Sequence, residues 1–307
     1  MLVDYILGII LALTAAFMFS LGAILQKKAV DELPEITFDN IIGSLKVMIA
    51  NRGWLIGTIL ATAGGIPYLL AQVFIGVAFS QPLMGLGILF LAIFATKWIG
   101  ESLRLAEEVG IAILVIAPIF LSLGAVTNTA VSIYDPNFHL TLIIFYIISF
   151  SAIAVSFLIY WKSDKFVSEN MALNSGIFFG AGAISAQLGV LASKPLISDP
   201  ITFIIYPFFF EYRPEPDLVI GMLGIIILLI GNGVGTYVVQ IAFQRGKAAI
   251  VGPIQSAGNL IIPIFGGVII FRQIIGNIIM YIIGITLILI GAILLARIQA
   301  ETQKKKS

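Results

Sequence analysis

The chain contains no cysteine and only one histidine in 307 residues. The absence of cysteine excludes a disulfide framework, thiol catalysis and a thiolate metal site. The single histidine, His139, stands at the outer end of a predicted span, as a solvated or interfacial side chain would. There is no His-Glu-x-x-His motif and no carboxylate pair in the middle of a span. We therefore expect the protein not to be an enzyme and to need no cofactor.

Charge is also scarce, because Asp, Glu, Lys and Arg make up 11% of the residues and hydrophobic residues 60%. An ordinary soluble domain is roughly 25% charged. The net charge of +1 predicts no polyanion partner such as nucleic acid. Long, nearly uncharged apolar segments recur along the whole length, which is the signature of membrane-spanning helices. They predict an all-α integral membrane protein with about nine spans, at 4–26, 53–79, 82–97, 105–126, 139–161, 171–193, 217–243, 250–270 and 274–296.

The distribution of lysine and arginine predicts the orientation. If the N-terminus faces outward, the inner segments hold 14 of the 17 basic residues and the outer ones only Lys194, Arg213 and Arg272. This bias follows the positive-inside rule, and it predicts a protein of the cell membrane with an outer N-terminus and a cytoplasmic C-terminus. The first span is expected to be retained, not cleaved as a signal peptide. The basic tail is expected to attract anionic lipid headgroups.

Two apolar segments 171 residues apart repeat one another. The spans that follow them also match, after a further shift of three residues. The repeated spans are the third and the eighth, so they cross the membrane in opposite directions and predict an inverted repeat. Many carriers build two gates around one central site in this way. The matched positions are Pro82/Pro253, Gly87/Gly258, Leu89/Leu260, Ile93/Ile264, Phe94/Phe265, Ile99/Ile270, Gly110/Gly284 and Leu121/Leu295.

The repeat divides the chain into four spans, a connector and four spans. The first repeat is expected at 1–126, a connector with one span at 127–170, the second repeat at 171–298, and a basic tail at 299–307. Each repeat contains an irregular stretch after its first span, at 31–51 and 195–217. Within the second stretch, residues 201–210 are apolar and flanked by prolines, and they form either a re-entrant piece or a structured outer loop.

Polar residues inside the spans are the informative ones, because hydrocarbon penalises them unless they are paired or face water. They recur every four positions in the seventh span, and pairs at this spacing occur in the second and eighth spans. Each one alone is best explained as forming a hydrogen bond between helices, worth ~0.6 kcal/mol per contact. The three stripes together favour a cavity. The predicted substrate-binding residues are Tyr68, Gln72, Asn232, Thr236, Gln240, Gln255 and Asn259.

Prolines within spans support the same interpretation. Pro67 frees the carbonyl of Ala63, and Pro263 frees that of Asn259. Unwound backbone at membrane depth is tolerated only where protein buries it or where it lines a cavity. Two short hairpins are predicted as gates, one on each side of the membrane. The predicted gate and hinge residues are Ser80, Gln81 and Pro82 outside, Arg245 and Lys247 inside, and Pro67, Pro253 and Pro263 within spans.

Several short motifs resemble the drug/metabolite transporter superfamily. They are Gln26-Lys27-Lys28, Ser80-Gln81-Pro82-Leu83, Gly100-Glu101-Ser102-Leu103 and the run from Arg245 to Pro253. Within that superfamily the chain is most similar to NIPA-type magnesium transporters, with EamA-like metabolite exporters as wider relatives. The resemblance implies alternating access through a central cavity. Two positions depart from the NIPA pattern, because Gly65 and Arg272 stand where acids are usual.

Magnesium prefers oxygen ligands that include one or two carboxylates. The predicted interior offers amides, hydroxyls and carbonyls but no deep carboxylate, so any metal ligands stay unknown. We expect a carrier for a small polar, amino-acid-like solute. The carrier is expected to contact membrane lipids, and a homodimer is one assembly left open. Without a buried acid there is no obvious proton relay. Facilitated or membrane-potential-driven movement of the solute is therefore as plausible as antiport. The alternatives are a magnesium carrier and a non-transporting membrane scaffold.

Overall fold

The computed structural model describes residues 2–124, 126–127, 135–162, 166–193 and 217–304. The apolar piece at 201–210 and the last tail residues lie outside these ranges. The described residues are almost entirely helical. The helices are α1 (Leu2–Asp31), α2 (Ile41–Ala50), α3 (Arg52–Phe94), a π-helix (Ala95–Ile99), α4 (Leu105–Leu123), α5 (Pro136–Lys162), α6 (Val167–Ser193), α7 (Asp217–Arg245), α8 (Ala248–Ile269) and α9 (Ile278–Lys304).

Six of these helices contain stretches long and apolar enough to cross a membrane, and the protein is therefore an all-helical integral membrane protein. The six stretches are Tyr5–Asp31, Leu105–Leu123, Asn137–Lys162, Gly221–Arg245, Ala248–Ile269 and Ile278–Ile298. Large apolar side chains are exposed along them, including Ile148 and Ile279, which are 63% and 65% exposed. In a bilayer such side chains face lipid, which is as apolar as they are.

The stretch 31–51 is not wholly irregular, because it contains the ten-residue helix α2. Asn40 caps this helix, and its Oδ1 accepts a hydrogen bond from the Gly43 N–H at 3.0 Å. Asn51 ends α2 and caps α3, since its Oδ1 accepts from the Trp54 N–H at 3.0 Å. Ten residues rise only about 15 Å, so α2 is too short to cross the hydrocarbon core.

Helix α3 is helical over 43 residues, yet it folds back on itself. A straight helix would separate Gly64 from Gly87 by about 35 Å. Both glycines nevertheless lie against one turn of α1: a Cβ on Gly64 would be 3.1 Å from the Met18 side chain, and Ser20 Oγ donates to the Gly87 carbonyl at 2.7 Å. The reversal therefore separates a first arm (52–75) from a second arm (83–94). It contains the predicted hairpin at 80–82, where the backbone is helical.

The remaining helices pack in two groups of similar design. In one group α1 packs against both arms of α3, and in the other α6 packs against α7 and α8. Glycines allow close approach in both groups. A Cβ on Gly22 would lie 2.6 Å from the Gly57 carbonyl oxygen, and one on Gly176 would lie 2.2 Å from that of Gln255.

Helices α4 and α9 form an antiparallel pair. A Cβ on Gly110 would lie 2.7 Å from Leu295, and one on Gly284 would lie 2.7 Å from Leu121. Gly110 matches Gly284 and Leu121 matches Leu295 in the repeat, each pair 174 positions apart. Replacing both members of the first contact by their matches therefore gives the second contact. Beyond α4, the two-residue strand β1 (Val126–Thr127) pairs antiparallel with β2 (Ile274–Ile275), which precedes α9.

Replacing Gly284 by alanine is expected to destabilise the folded protein by about 1–3 kcal/mol, because the new methyl group would overlap the Leu121 side chain and its backbone nitrogen. The matched control is Gly233→Ala, where an added Cβ meets nothing within 4 Å. Thermal unfolding in detergent should show a lower Tm for the first variant only. Equal Tm values for the two variants would show that the α4–α9 contact is loose.

Candidate functional site

Basic residues from several helices gather at one end of the bundle, which is called the inner end because the sequence predicts that these residues face the cytoplasm. Lys27, at the end of α1, is only 7% exposed. Its Nζ donates to Asp31 Oδ1 at 2.7 Å and to the Phe243 carbonyl at 2.5 Å. Because Phe243 belongs to α7, this buried cation joins the first and second predicted repeats.

Glu101 makes a second connection at the inner end. Its two carboxylate oxygens accept hydrogen bonds from the N–H groups of Ala248 at 2.7 Å and Ala249 at 3.1 Å. These N–H groups open α8 and have no partner within the helix, and a negative charge there is favoured by the helix dipole. Burial raises the pKa of the Glu101 carboxyl, while the two N–H groups, Lys27 and Lys247 oppose that rise.

Glu107 and Lys247 make the third connection. Glu107 is fully buried, and Lys247 Nζ donates to both of its carboxylate oxygens at 2.9 Å. Lys247 also donates to the Ser102 carbonyl at 2.7 Å. The Arg104 N–H donates to Glu107 Oε2 at 2.8 Å, so the carboxylate also caps α4. We call the set Lys27, Glu101, Glu107 and Lys247 the inner lock.

Gln240, a predicted site residue, is fully buried beside the inner lock. Its Nε2 donates to Gln26 Oε1 and to the Thr236 carbonyl, both at 3.1 Å, while its Oε1 has no partner in the described part of the chain. Gln26 Nε2 in turn donates to Thr58 Oγ1 at 2.9 Å. The chain of amides and hydroxyls links α7, α1 and the first arm of α3. Gln26 and Thr58 were not among the predicted site residues.

Gln244 continues the same stripe but has a different role. Its Oε1 accepts from the Ile36 N–H at 2.8 Å, and its Nε2 donates to the Val30 carbonyl at 2.7 Å. It thereby holds the segment that follows α1 against α7. Arg245, a predicted gate residue, forms an ion pair with Glu35 of the same segment.

Gln255 faces the other group of helices. Its Nε2 donates to Ser175 Oγ at 3.2 Å, and Ser175 Oγ donates to the Gly235 carbonyl at 2.8 Å. Ser175 therefore connects α6 with both α7 and α8. Sequence reasoning missed this serine because a single hydroxyl carries no spacing pattern.

Asn232 and Asn259 are exposed, in contrast to the two glutamines. Asn232 Nδ2 donates within its own helix to the Leu228 carbonyl at 2.9 Å. The next residue, Gly233, has open space around it. An exposed amide in hydrocarbon is costly, so these two side chains remain candidates for a water-filled space.

The other predicted residues are distributed along α3, α7 and α8. Tyr68 and Pro67 are half-buried in the first arm of α3, and Thr236 is half-buried in α7. The side chains of Gln72, Ser80, Gln81 and Pro82 lie outside the described part of the structure. Helix α8 runs through both Pro253, which is buried, and Pro263, which is half-buried.

Two clefts open at the inner end. One, of about 400 Å³, is lined by Ile24, Leu25, Lys28, Lys97, Trp98 and Ile99. The other, of about 300 Å³, is lined by Val30, Asp31, Leu33, Glu35, Gln244 and Arg245. Neither is lined by any of the seven predicted substrate-binding side chains. Within the described ranges, no group of three or more His, Asp or Glu residues is placed to hold a metal ion.

The expectation of an interior without a buried acid is wrong at Glu107, described above, and at Glu169. Glu169 lies in the first turn of α6, two residues before the predicted sixth span, and is 5% exposed. Among the described residues, which omit 163–165, neither of its carboxylate oxygens has a hydrogen-bond partner on another residue, and neither polar atom of the fully buried Asn174 has one. Burial raises the pKa of the Glu169 carboxyl to about 7.

Glu169 is expected to make the folded protein less stable as the pH rises. The folded state holds the proton up to about pH 7, whereas the unfolded chain releases it near 4.5. The contribution of Glu169 to stability is therefore greatest below pH 4.5 and falls by up to about 3 kcal/mol as the pH approaches 7. Glu169→Gln should flatten the Tm measured in detergent between pH 5 and 8. Glu108→Gln, which alters an exposed acid, is the control, and parallel pH profiles for wild type and Glu169→Gln would contradict the assignment.

These features define a class: an all-helical integral membrane protein in which ion pairs and helix-terminal carboxylates connect the helices at one end of the bundle. Comparisons of the chain with family models, with curated proteins and with solved structures give no match.

Proposed function

We propose that the protein is a carrier that moves a small polar solute across the membrane by alternating access. The observation that carries the proposal is the contrast between the two polar regions of the bundle. The inner lock closes one end by contacts between α1, the 100–107 region, α7 and α8. Asn232 and Asn259, on α7 and α8, stay exposed beyond it. A carrier closed on the inside and open toward the outside has this arrangement.

The proposal includes nine spans and an inverted repeat. The reversal of α3 supports two crossings within that helix. The repeat match relates the Gly110–Leu295 contact to the Gly284–Leu121 contact. This relation supports a pseudo-two-fold axis through the α4–α9 pair. Inverted repeats give carriers two related conformations, one with each gate closed. The inner lock is the gate closed here, and the 80–82 region is the proposed outer gate.

The chemistry of the side chains favours a neutral or zwitterionic solute. Asn232, Asn259, Gln240 and Gln255 each offer an amide that both donates and accepts hydrogen bonds. The acids of the inner lock are already occupied by lysine and backbone N–H groups, so they offer no free carboxylate to a divalent cation. A magnesium carrier and a membrane scaffold are the competing functions that the assay below separates.

The function is tested by reconstituting the purified protein in liposomes. Uptake and efflux are followed for radiolabelled amino acids, for other small polar metabolites and for Mg²⁺, with each gradient direction and with protein-free liposomes as blank. We expect saturable movement of at least one organic solute. Movement of Mg²⁺ alone would replace the proposal with the cation carrier. If no solute moves under either gradient, the carrier proposal fails and the non-transporting membrane scaffold is the remaining function.

A further inference from the structure

The larger inner cleft lies between the ends of two helices. The last two turns of α1 supply Ile24, Leu25 and Lys28, and the π-helix that follows α3 supplies the remaining side chains. The cleft measures about 400 Å³, large enough for a phosphate group with part of its substituents. π-Helices are rare and occur often at functional sites. The sequence motifs and the proposed solute path leave this cleft without a role.

The charge of the cleft has one sign. Lys28 and Lys97 are both exposed, and no acid lines the cleft. Neighbouring Lys27 is paired with Asp31, but within the described part of the chain neither Lys28 nor Lys97 has an ion-pair partner. Two unpaired ammonium groups that share one cleft favour a ligand that carries negative charge.

The apolar lining distinguishes a lipid from a free anion. Trp98 is 56% exposed and stacks on Phe94 with ring centroids 4.8 Å apart. Tryptophan is enriched at the headgroup level of membranes, and the charge count places this end at the cytoplasmic leaflet. Lys28 and Lys97 also lie in last turns, where the helix dipole disfavours an anion. A small anion therefore gains little binding free energy in the cleft. A lipid gains more, because its acyl chains also contact Trp98 and Leu25.

We propose that this cleft binds an anionic phospholipid of the inner leaflet, with Lys28 and Lys97 holding the headgroup phosphate and Trp98 packing against the acyl chains. The same helix ends carry part of the inner lock. Lys27 precedes Lys28, and Glu101 follows Lys97 by four residues. A lipid that joins the end of α1 to the end of α3 therefore stabilises the closed inner end. This site does not depend on the identity of the transported solute.

The test measures lipid binding to the purified protein in a neutral detergent. Dioleoylphosphatidylglycerol, dioleoylphosphatidylcholine and inorganic phosphate are added separately, and binding is followed by native mass spectrometry and by the shift in Tm. Phosphatidylglycerol is expected to bind and raise Tm. In Lys28→Gln/Lys97→Gln its affinity should fall roughly 10- to 30-fold, since each basic residue near an anionic surface contributes separately.

The matched control is Lys46→Gln/Lys162→Gln, which removes the same charge from two other exposed lysines of the inner side. It should bind phosphatidylglycerol as wild type does. An equal loss in both double variants would reduce the effect to net charge and overturn the site. An equal response to phosphatidylcholine would also overturn it, and an equal response to inorganic phosphate would replace the lipid with a free anion.

A second measurement uses the wild-type protein, so it does not depend on folding of the lysine variants. Brominated phosphatidylglycerol should quench tryptophan fluorescence more than brominated phosphatidylcholine does. The excess should disappear in Trp98→Phe, which keeps an aromatic ring but removes the reporting indole. Excess quenching that persists in Trp98→Phe would place the lipid elsewhere.

Discussion

Asn232→Leu combined with Asn259→Leu is expected to slow transport strongly while the protein still inserts and folds. Both side chains are exposed, so leucine of similar size fits without overpacking. Each substitution removes an amide that the solute would otherwise contact, and each lost hydrogen bond costs about 0.5–1.5 kcal/mol. Together they should slow uptake by roughly 10- to 100-fold. Initial rates in liposomes at matched protein content measure the effect.

The control for this pair is Thr286→Leu, which also replaces an exposed polar residue within a span by leucine, but on α9. Its transport rate should equal that of wild type. If the asparagine double variant transports normally, the amides only connect helices and the solute lies elsewhere. Retention of cellular function by that variant would favour the scaffold.

Lys247→Met is expected to open the inner end. Glu107 is fully buried and has Lys247 as its ion-pair partner, and removing one partner of a buried pair costs about 3–5 kcal/mol. The closed inner state carries that cost, so the equilibrium shifts toward states in which Glu107 reaches water. Labelling of an introduced Ala249→Cys measures the shift, because Ala249 is fully buried at the start of α8 and the chain has no native cysteine. We expect labelling from the inner side to rise at least tenfold.

Two further variants separate gating from simple loosening. Lys247→Met/Glu107→Gln removes both charges and should restore slow labelling of Ala249→Cys. Gln81→Cys at the proposed outer gate should label more slowly from outside when Lys247 is replaced, since alternating access couples the two gates. Lys46→Met, on exposed α2, should change neither rate. If both introduced cysteines label faster together, the lock is a structural brace and not a gate.

Much of the architecture is readable from the chain because the membrane imposes it. Long apolar segments must form helices in hydrocarbon, where backbone groups have no other partners. The predicted spans 105–126 and 250–270 accordingly agree within three residues with the observed bounds of α4 and α8. Asn40 and Asn51 could have predicted α2, since each supplies a capping oxygen, whereas the sequence-based prediction for 31–51 is an irregular stretch.

The candidate site was less predictable. Four-residue spacing correctly grouped Asn232, Thr236 and Gln240 on one helix, but only their neighbours decide that Gln240 is buried against Gln26 while Asn232 is exposed. Glu169 escaped notice for a related reason. An acid in the first turn of a helix ordinarily complements the helix dipole in solvent, and nothing local indicates that packing will bury it.

The sequence by itself determined the class of the protein, the positions of most apolar helices, the side of the membrane predicted for the basic residues, and the repeated proline and glycine positions. These properties depend on composition and on spacing within one helix. Tertiary structure alone decided the burial of Glu169 and the pairing of Lys247 with Glu107 across 140 positions. Such contacts depend on how distant helices cross, and a helical period specifies a face without specifying the residue that meets it.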